Sequence, residues 1–148
     1  MAALFFCYGG AMSGPRISGL NHLTLAVSDL DRSIIFYRDL LGCRLRAQWA
    51  QGAYLEAGSL WLCLSVDGAV SPSGGYTHVA FDVDVDGFQP LAERIARQAV
   101  IWKDNRSEGP SLYFLDPDGH KLELHAGTLS SRLAHYRMHP GLGVEVLD

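Results

Sequence analysis

The chain has 148 residues, with twelve Lys and Arg against sixteen Asp and Glu, a formal charge of −4, and 48% apolar and 19% charged residues. That length supports one core without disulfide or metal staples, and the composition excludes a disordered chain. The acidic balance argues against a nucleic-acid surface, and no apolar run approaches the roughly eighteen residues that cross a bilayer, so neither nucleic acid nor membrane is an expected partner.

Three cysteines, Cys7, Cys43 and Cys63, form no CxxC pair and no even set. They fit a reducing compartment, and a cytoplasmic location is expected. Residues 1–16 read as a flexible extension. Leu4-Phe5-Phe6-Cys7 is apolar but short, and no Lys or Arg precedes it, unlike a signal peptide. Met12 is an alternative start.

Residues 17–27 read as a strand, with His22, Thr24 and Ala26 on one face and Leu23, Leu25 and Val27 on the other. Ser28-Asp29-Leu30-Asp31 opens a helix whose Leu30, Ile34, Tyr37 and Leu41 share a face and which Gly42 ends. Short strands are expected at 44–49, 53–57 and 60–66, separated by Gly52 and by Gly58-Ser59. Residues 78–84 form the next strand. Asp86 caps a helix to about residue 98, with Phe88, Leu91, Ala92, Ile95 and Ala99 on one face. Strands at 100–102, 111–116 and 120–126 follow, the last two joined by the turn Asp116-Pro117-Asp118-Gly119. A helix at 128–136 and a tail strand at 143–147 complete the chain.

This order is one unit written twice. Asn21-His22-Leu23-Thr24-Leu25-Ala26-Val27 and Thr77-His78-Val79-Ala80-Phe81-Asp82-Val83 each place a His at the start of a β-type run, 56 residues apart. The fold class is α+β, two βαβββ modules at 17–66 and 76–126 within one domain at 17–137, with a tail at 138–148. Each module has a half-covered sheet, so the two pair within one chain or across two.

Glu123 shares a face with Lys121 and His125, opposite Leu122 and Leu124. Aligning Tyr54 with Tyr113 and allowing one gap puts Cys63 where Glu123 falls. His22, His78 and Glu123 are therefore candidate metal ligands. Two His and a carboxylate leave positions open for substrate on manganese, iron or zinc. A strand histidine is as readily an ordinary core or surface residue, and residue types alone leave both readings open. The segment from Trp102 through Lys103, Asp104, Asn105, Arg106, Ser107, Glu108, Gly109 and Pro110 to Ser111 reads as an anion-binding loop, a cation-coordinating loop or a solvated turn. Arg132 on the last helix reads equally as a surface residue.

Taken together these residues resemble the vicinal-oxygen-chelate superfamily, and within it the fosfomycin-resistance glutathione transferases. The resemblance runs from about residue 17 to 137. Its more general pieces are Asn21-His22-Leu23-Thr24-Leu25-Ala26-Val27 and Asp116-Pro117-Asp118-Gly119-His120. Its more specific ones are Gly58-Ser59-Leu60-Trp61-Leu62-Cys63-Leu64-Ser65 and Asn105-Arg106-Ser107-Glu108-Gly109.

The resemblance implies a module-swapped homodimer in which a glutathione thiol is added to the epoxide of fosfomycin. It implies manganese on His22, His78 and Glu123, with His22 from one subunit and the other two from its partner. Thr24, Lys103, Ser107, Tyr113 and Arg132 would surround the phosphonate, and Asn105, Ser107, Gly109 and Ser111 would hold potassium. Trp61, Cys63, Tyr54 and Tyr76 would line the cavity, with Trp49, Gln51, Ser65 and Arg106 near glutathione. Thr24, Tyr54, Lys103 and Arg132 are the expected catalytic side chains. Thr24 would bond the epoxide oxygen, Tyr54 the sulfur, and the two cations would offset the phosphonate charge. Pro110, Cys43 and the loop 66–75 depart from the family pattern. Three rivals remain: epoxide hydrolysis with Glu56 as base, an extradiol dioxygenase, and a non-catalytic drug-binding protein.

Overall fold

The computed structural model describes residues 14–147. Most of the expected extension lies outside that range. Eight strands form two four-stranded sheets with the same plan. In the first, β1 (His22–Val27) pairs parallel with β4 (Leu60–Val66), and β3 (Gly52–Ala57) and β2 (Arg44–Trp49) follow antiparallel. In the second, β5 (Val79–Asp82) pairs parallel with β8 (Lys121–His125), followed by β7 (Ser111–Leu115) and β6 (Ile101–Lys103). The mixed α+β, twice-repeated plan is the expected one.

Alternation decides which side of each strand enters the core. Leu25 and Val27 are buried while His22 and Thr24 are exposed. Leu55, Leu62, Leu64, Phe114, Leu122 and Leu124 join them in one cluster drawn from both sheets. Each such side chain contributes about 1.5–3 kcal/mol by leaving water. The helix α2 (Val85–Ala96) adds Ala92 and Ile95, with Phe88 and Leu91 packed partly against the cluster.

Several boundaries differ from expectation for local reasons. The first strand starts at His22, not residue 17, because β4 begins only at Leu60, one residue before Trp61, which lies opposite His22. The first helix is α-helical only over α1 (Leu30–Ile35), then widens into a π-turn at Phe36–Leu40. The wider turn shifts the buried face by one residue, so Leu40 rather than Leu41 is buried beside Tyr37. Gly42, at φ 82, lets Cys43 N–H reach back to Tyr37 O and close the helix. Asp84, not Asp86, is the cap residue of α2, and it acts through its backbone carbonyl. The helix α3 (Leu129–Met138) is capped by Thr128 and Ser131 in a reciprocal capping box. The tail strand does not form: Pro140–Leu142 is a 3-10 turn, and residues 143–147 are irregular. No helix among the described residues is long and apolar enough to cross a membrane.

The halves are joined by polar contacts through the β7–β8 turn. Tyr37 Oη–H donates to Oδ2 of the buried Asp116 at 2.8 Å, while Asp116 Oδ1 accepts from the backbone N–H of Asp118 and His120. His120 Nε2–H donates to Ala26 O at 2.7 Å, and the backbone N–H of Ser28 donates to Asp118. Between the two halves lies a cavity of about 250 Å³ bordered by Leu41, Cys43, Phe81, Leu91, Ile95 and Phe114. Burial pushes the Cys43 thiol up to about 11, so it stays protonated and apolar there.

Burial, and then the Asp116 charge, hold the Tyr37 phenol well above its usual value of 10.0. The folded state thus resists ionisation, and its stability falls as pH rises past the unfolded tyrosine range. Tyr37→Phe should cost about 1–2 kcal/mol in urea unfolding at neutral pH, because Asp116 loses a buried donor. The variant should also lose part of the alkaline decline; a curve parallel to wild type above pH 10 would refute the assignment.

Candidate functional site

The strand faces turned away from the core carry the candidate residues. On the second sheet, Tyr113 lies opposite Glu123 and Lys103, and Ala80 lies opposite Glu123. On the first, Tyr54 lies opposite Cys63 and Ala47, and Thr24 opposite Cys63. The register thus makes Cys63 the counterpart of Glu123, as the one-residue gap requires. It also makes Ala47 the counterpart of Lys103 and Thr24 that of Ala80. The two faces share a frame and differ in chemistry.

The second face holds a tight polar group. His78 Nε2 lies 2.9 Å from Oε2 of the buried Glu123, and His78 Nδ1 lies 2.8 Å from Tyr76 O. A carbonyl oxygen only accepts, so Nδ1 carries the hydrogen. In the neutral ring Nε2 is then bare and faces a carboxylate oxygen that is also bare. A proton or a shared cation must lie between them. His22 is set the same way, donating from Nδ1 to Asn21 Oδ1 at 2.8 Å and leaving Nε2 free on the exposed face of β1. Imidazole nitrogen and carboxylate oxygen suit manganese, iron or zinc, so these residues fit a divalent metal. Within one chain, however, no three His, Cys, Asp or Glu gather at one point among the described residues. His78 and Glu123 meet; His22 stands on the other sheet.

A cation and aromatic rings border this pair. Lys103 Nζ donates to Tyr76 Oη at 2.8 Å and sits 4.4 Å from the centre of the Tyr113 ring. The Tyr76 hydrogen bond raises the Lys103 pKa, so the ammonium stays charged. Trp102 packs edge-on to Tyr76 and Tyr113. In the following loop, Asn105 Oδ1 accepts from the backbone N–H and the hydroxyl of Ser107, and Asn105 Nδ2 donates to Gly109 O. Gly109 has φ 84, which favours glycine. Arg132 reaches back from α3 to this loop, donating to Glu108 O at 3.0 Å and lying 3.3 Å from the Glu108 carboxylate. Arg106 is exposed.

On the first sheet the face is an aromatic wall. His22 packs on Trp61, Trp61 edge-on to Tyr54, and Tyr54 edge-on to Trp49. All four are exposed, as are Gln51 and Ser65, while Cys63 is buried between them and the core. Glu56 is bound to Arg46 Nη1 at 2.6 Å.

Sequence reading assigned no role to His125 or to Glu108. Ser111 Oγ contacts both Glu123 Oε1, at 2.6 Å, and His125 Nδ1, at 2.7 Å. His125 was legible on the Glu123 face by alternation, but the strand pattern gave it no role. The tie between Arg132 and Glu108 had no signal, because it joins a helix to a loop 24 residues away.

Comparison with known proteins places this geometry. The family model described as the Glyoxalase/Bleomycin resistance protein/Dioxygenase superfamily matches residues 19–124. Glutathione transferase FosA of Serratia marcescens is 55% identical over 133 residues, covering 86% of this chain and 94% of the relative. Metallothiol transferase FosB of Lysinibacillus sphaericus is 37% identical over 128 residues, covering 82% and 91%. Among solved structures, the fosfomycin resistance protein FosX of Listeria monocytogenes, complexed with Mn(II) and sulfate, superposes with a TM-score of 0.70 at 32% identity, covering 82% of this chain and 99% of that one.

The aromatic wall depends on Gly52. A Cβ there would lie 2.5 Å from the Trp49 ring and 2.7 Å from Leu64 O. Gly52→Ala should displace Trp49, shifting its tryptophan fluorescence and lowering the melting temperature by a few degrees, on the order of 1–2 kcal/mol. An unchanged emission spectrum would show that Trp49 is not held by this contact.

Proposed function

This chain belongs to the fosfomycin-resistance proteins of the glyoxalase/bleomycin resistance protein/dioxygenase superfamily, and from that premise we propose that it is a cytoplasmic glutathione transferase that opens the epoxide of fosfomycin. The observation that carries this reading is one face on which His78 Nε2 and the Glu123 carboxylate meet at 2.9 Å beside a charged Lys103. A divalent donor set next to a fixed ammonium suits a substrate with a basic oxygen and an anionic group.

In this reading His78, Glu123 and His22 of the partner subunit hold manganese, in a module-swapped homodimer. Bound there, the ion would supply Lewis acidity toward the epoxide oxygen. The exposed aromatic wall around His22 supports such pairing, because an open apolar face of this kind favours a cover. Lys103 and Arg132 offset the cost of stripping water from the phosphonate, and Ser107 and Tyr113 donate hydrogen bonds to it. Thr24 donates to the epoxide oxygen as charge builds there. Trp61, Cys63 and Tyr76 bound the substrate cavity, and Cys63 is a wall rather than a nucleophile. Glutathione lies along Trp49, Gln51, Ser65 and Arg106, with Tyr54 holding its sulfur. The carbonyls and hydroxyls of Asn105, Ser107, Gly109 and Ser111 form a potassium site beside the phosphonate.

Glu56 would be the base for addition of water. Its carboxylate is engaged by Arg46 Nη1 at 2.6 Å, which supports thiol transfer over hydrolysis. Lys103 over Tyr113 supports an anionic substrate over the catechol of a dioxygenase.

Purified protein with Mn(II), K⁺, glutathione and fosfomycin should yield the glutathione adduct by mass spectrometry. A product heavier by one water would overturn transfer in favour of hydrolysis, and no product would reopen the other readings. The dimer has its own test. His22→Ala and Glu123→Gln proteins should each be inactive, while refolded mixtures should regain about a quarter of wild-type activity, since half the dimers then carry one intact site of two. No recovery on mixing would mean that both residues serve the same chain.

A further inference from the structure

We infer that His125 is a positioning residue of the metal centre: its Nδ1–H holds the Ser111 hydroxyl, and that hydroxyl holds Glu123 Oε1. The inference rests on the metal reading above and assigns a role to a residue outside the proposed ligand and substrate sets.

The direction of the chain follows from counting hydrogens. Ser111 Oγ has one hydrogen and lies 2.6 Å from Glu123 Oε1 and 2.7 Å from His125 Nδ1. The carboxylate oxygen has none to give, so the hydroxyl donates to Glu123. The second contact is then a hydrogen bond only if His125 Nδ1 carries the hydrogen and donates to Oγ. The opposite arrangement would leave two bare oxygens 2.6 Å apart. His125 Nδ1 is itself 3.7 Å from Glu123 Oε1, too far for a good hydrogen bond, so it acts through Ser111.

The backbone is built around this imidazole. A Cβ on Gly127 would lie 2.6 Å from His125 Nε2, and one on Gly109 3.3 Å from Cε1. The ring therefore lies between two glycines, one of them in the loop proposed for potassium. Ser111 and His125 are direct partners in the β7–β8 ladder, and Tyr113 and Glu123 are the next pair on that face. Holding Oε1 fixes the rotation of the carboxylate, and so the placement of Oε2 beside His78 Nε2. One lone pair of Ser111 Oγ is left unused by these two contacts. Partners of this kind behind a ligating carboxylate change metal affinity about 10–100-fold.

The test is Mn(II) titration of the full-length protein, read by the electron paramagnetic resonance of free ion. His125→Phe, which keeps the ring and removes the donor, should weaken binding about tenfold, and Ser111→Ala should do the same. The double variant should bind no more weakly than either single one, because both remove one chain of contacts. His125→Asn, whose amide N–H reaches the same place, should recover most of the loss. Wild-type affinity in His125→Phe, or losses that multiply in the double variant, would overturn the proposal while leaving the metal reading intact. A wild-type protein that binds no Mn(II) would overturn both. If His125→Phe does not fold, His125→Asn against Ser111→Ala decides: in the Ser111→Ala background the Asn change must have no effect on affinity, and a further loss overturns the proposal.

Discussion

One buried carboxylate ties the two halves of this chain together. Asp116 ends β7 and accepts from two backbone N–H groups of its own turn, which closes the β7–β8 hairpin. With its other oxygen it accepts from Tyr37, in the helix of the first half. A buried carboxylate without donors is costly, so turn and helix are held in one relative position. That hairpin carries Ser111, Tyr113, Glu123 and His125. The polar face therefore takes its geometry from a contact on the opposite side of the sheet. The β7–β8 turn meets the end of β1 as well, through His120 and Ala26, so β1 and β8 are oriented together.

The repeated plan explains how one frame carries two kinds of chemistry. Matching rungs hold Cys63 against Glu123, Ala47 against Lys103, and Thr24 against Ala80. The first sheet supplies an aromatic wall and the second supplies charge. Among the described residues, no three His, Cys, Asp or Glu gather on one face to hold a divalent ion. The plan is one of complementary halves, which suits a centre built where two faces meet.

Charge is arranged locally rather than globally. The chain is acidic overall, yet Lys103 and Arg132 are both brought to the loop that follows β6. Lys103 is held by a phenol hydroxyl and an aromatic face, which keep it charged without neutralising it. Arg132 donates to the Glu108 carbonyl and pairs with the Glu108 carboxylate at 3.3 Å, which fixes its guanidinium and offsets part of its charge. An anion held there, as proposed, would exchange water for fixed donors, the condition under which such contacts are strongest.

The sequence by itself determined the order of the eight strands, the twofold plan and the core side of each strand, and it named candidate site residues. These follow from periods of 2 and 3.6, from Gly and Pro at the turns, and from the repeat that aligns His22 with His78. The family was legible too, in the segments around Trp61 and Asn105. Only the tertiary structure decided the rest. The start of β1, the loss of the tail strand and the π-turn depend on what lies opposite each backbone, which no local pattern states. The turn of His78 Nε2 toward Glu123 goes with the Tyr76 O contact of Nδ1, and the hydrogen-bond direction through Ser111 depends on two strands in register. A pattern along the chain tells which face a side chain occupies. Hydrogen-bond partners on that face come from other strands, and only the folded chain brings them within 3 Å.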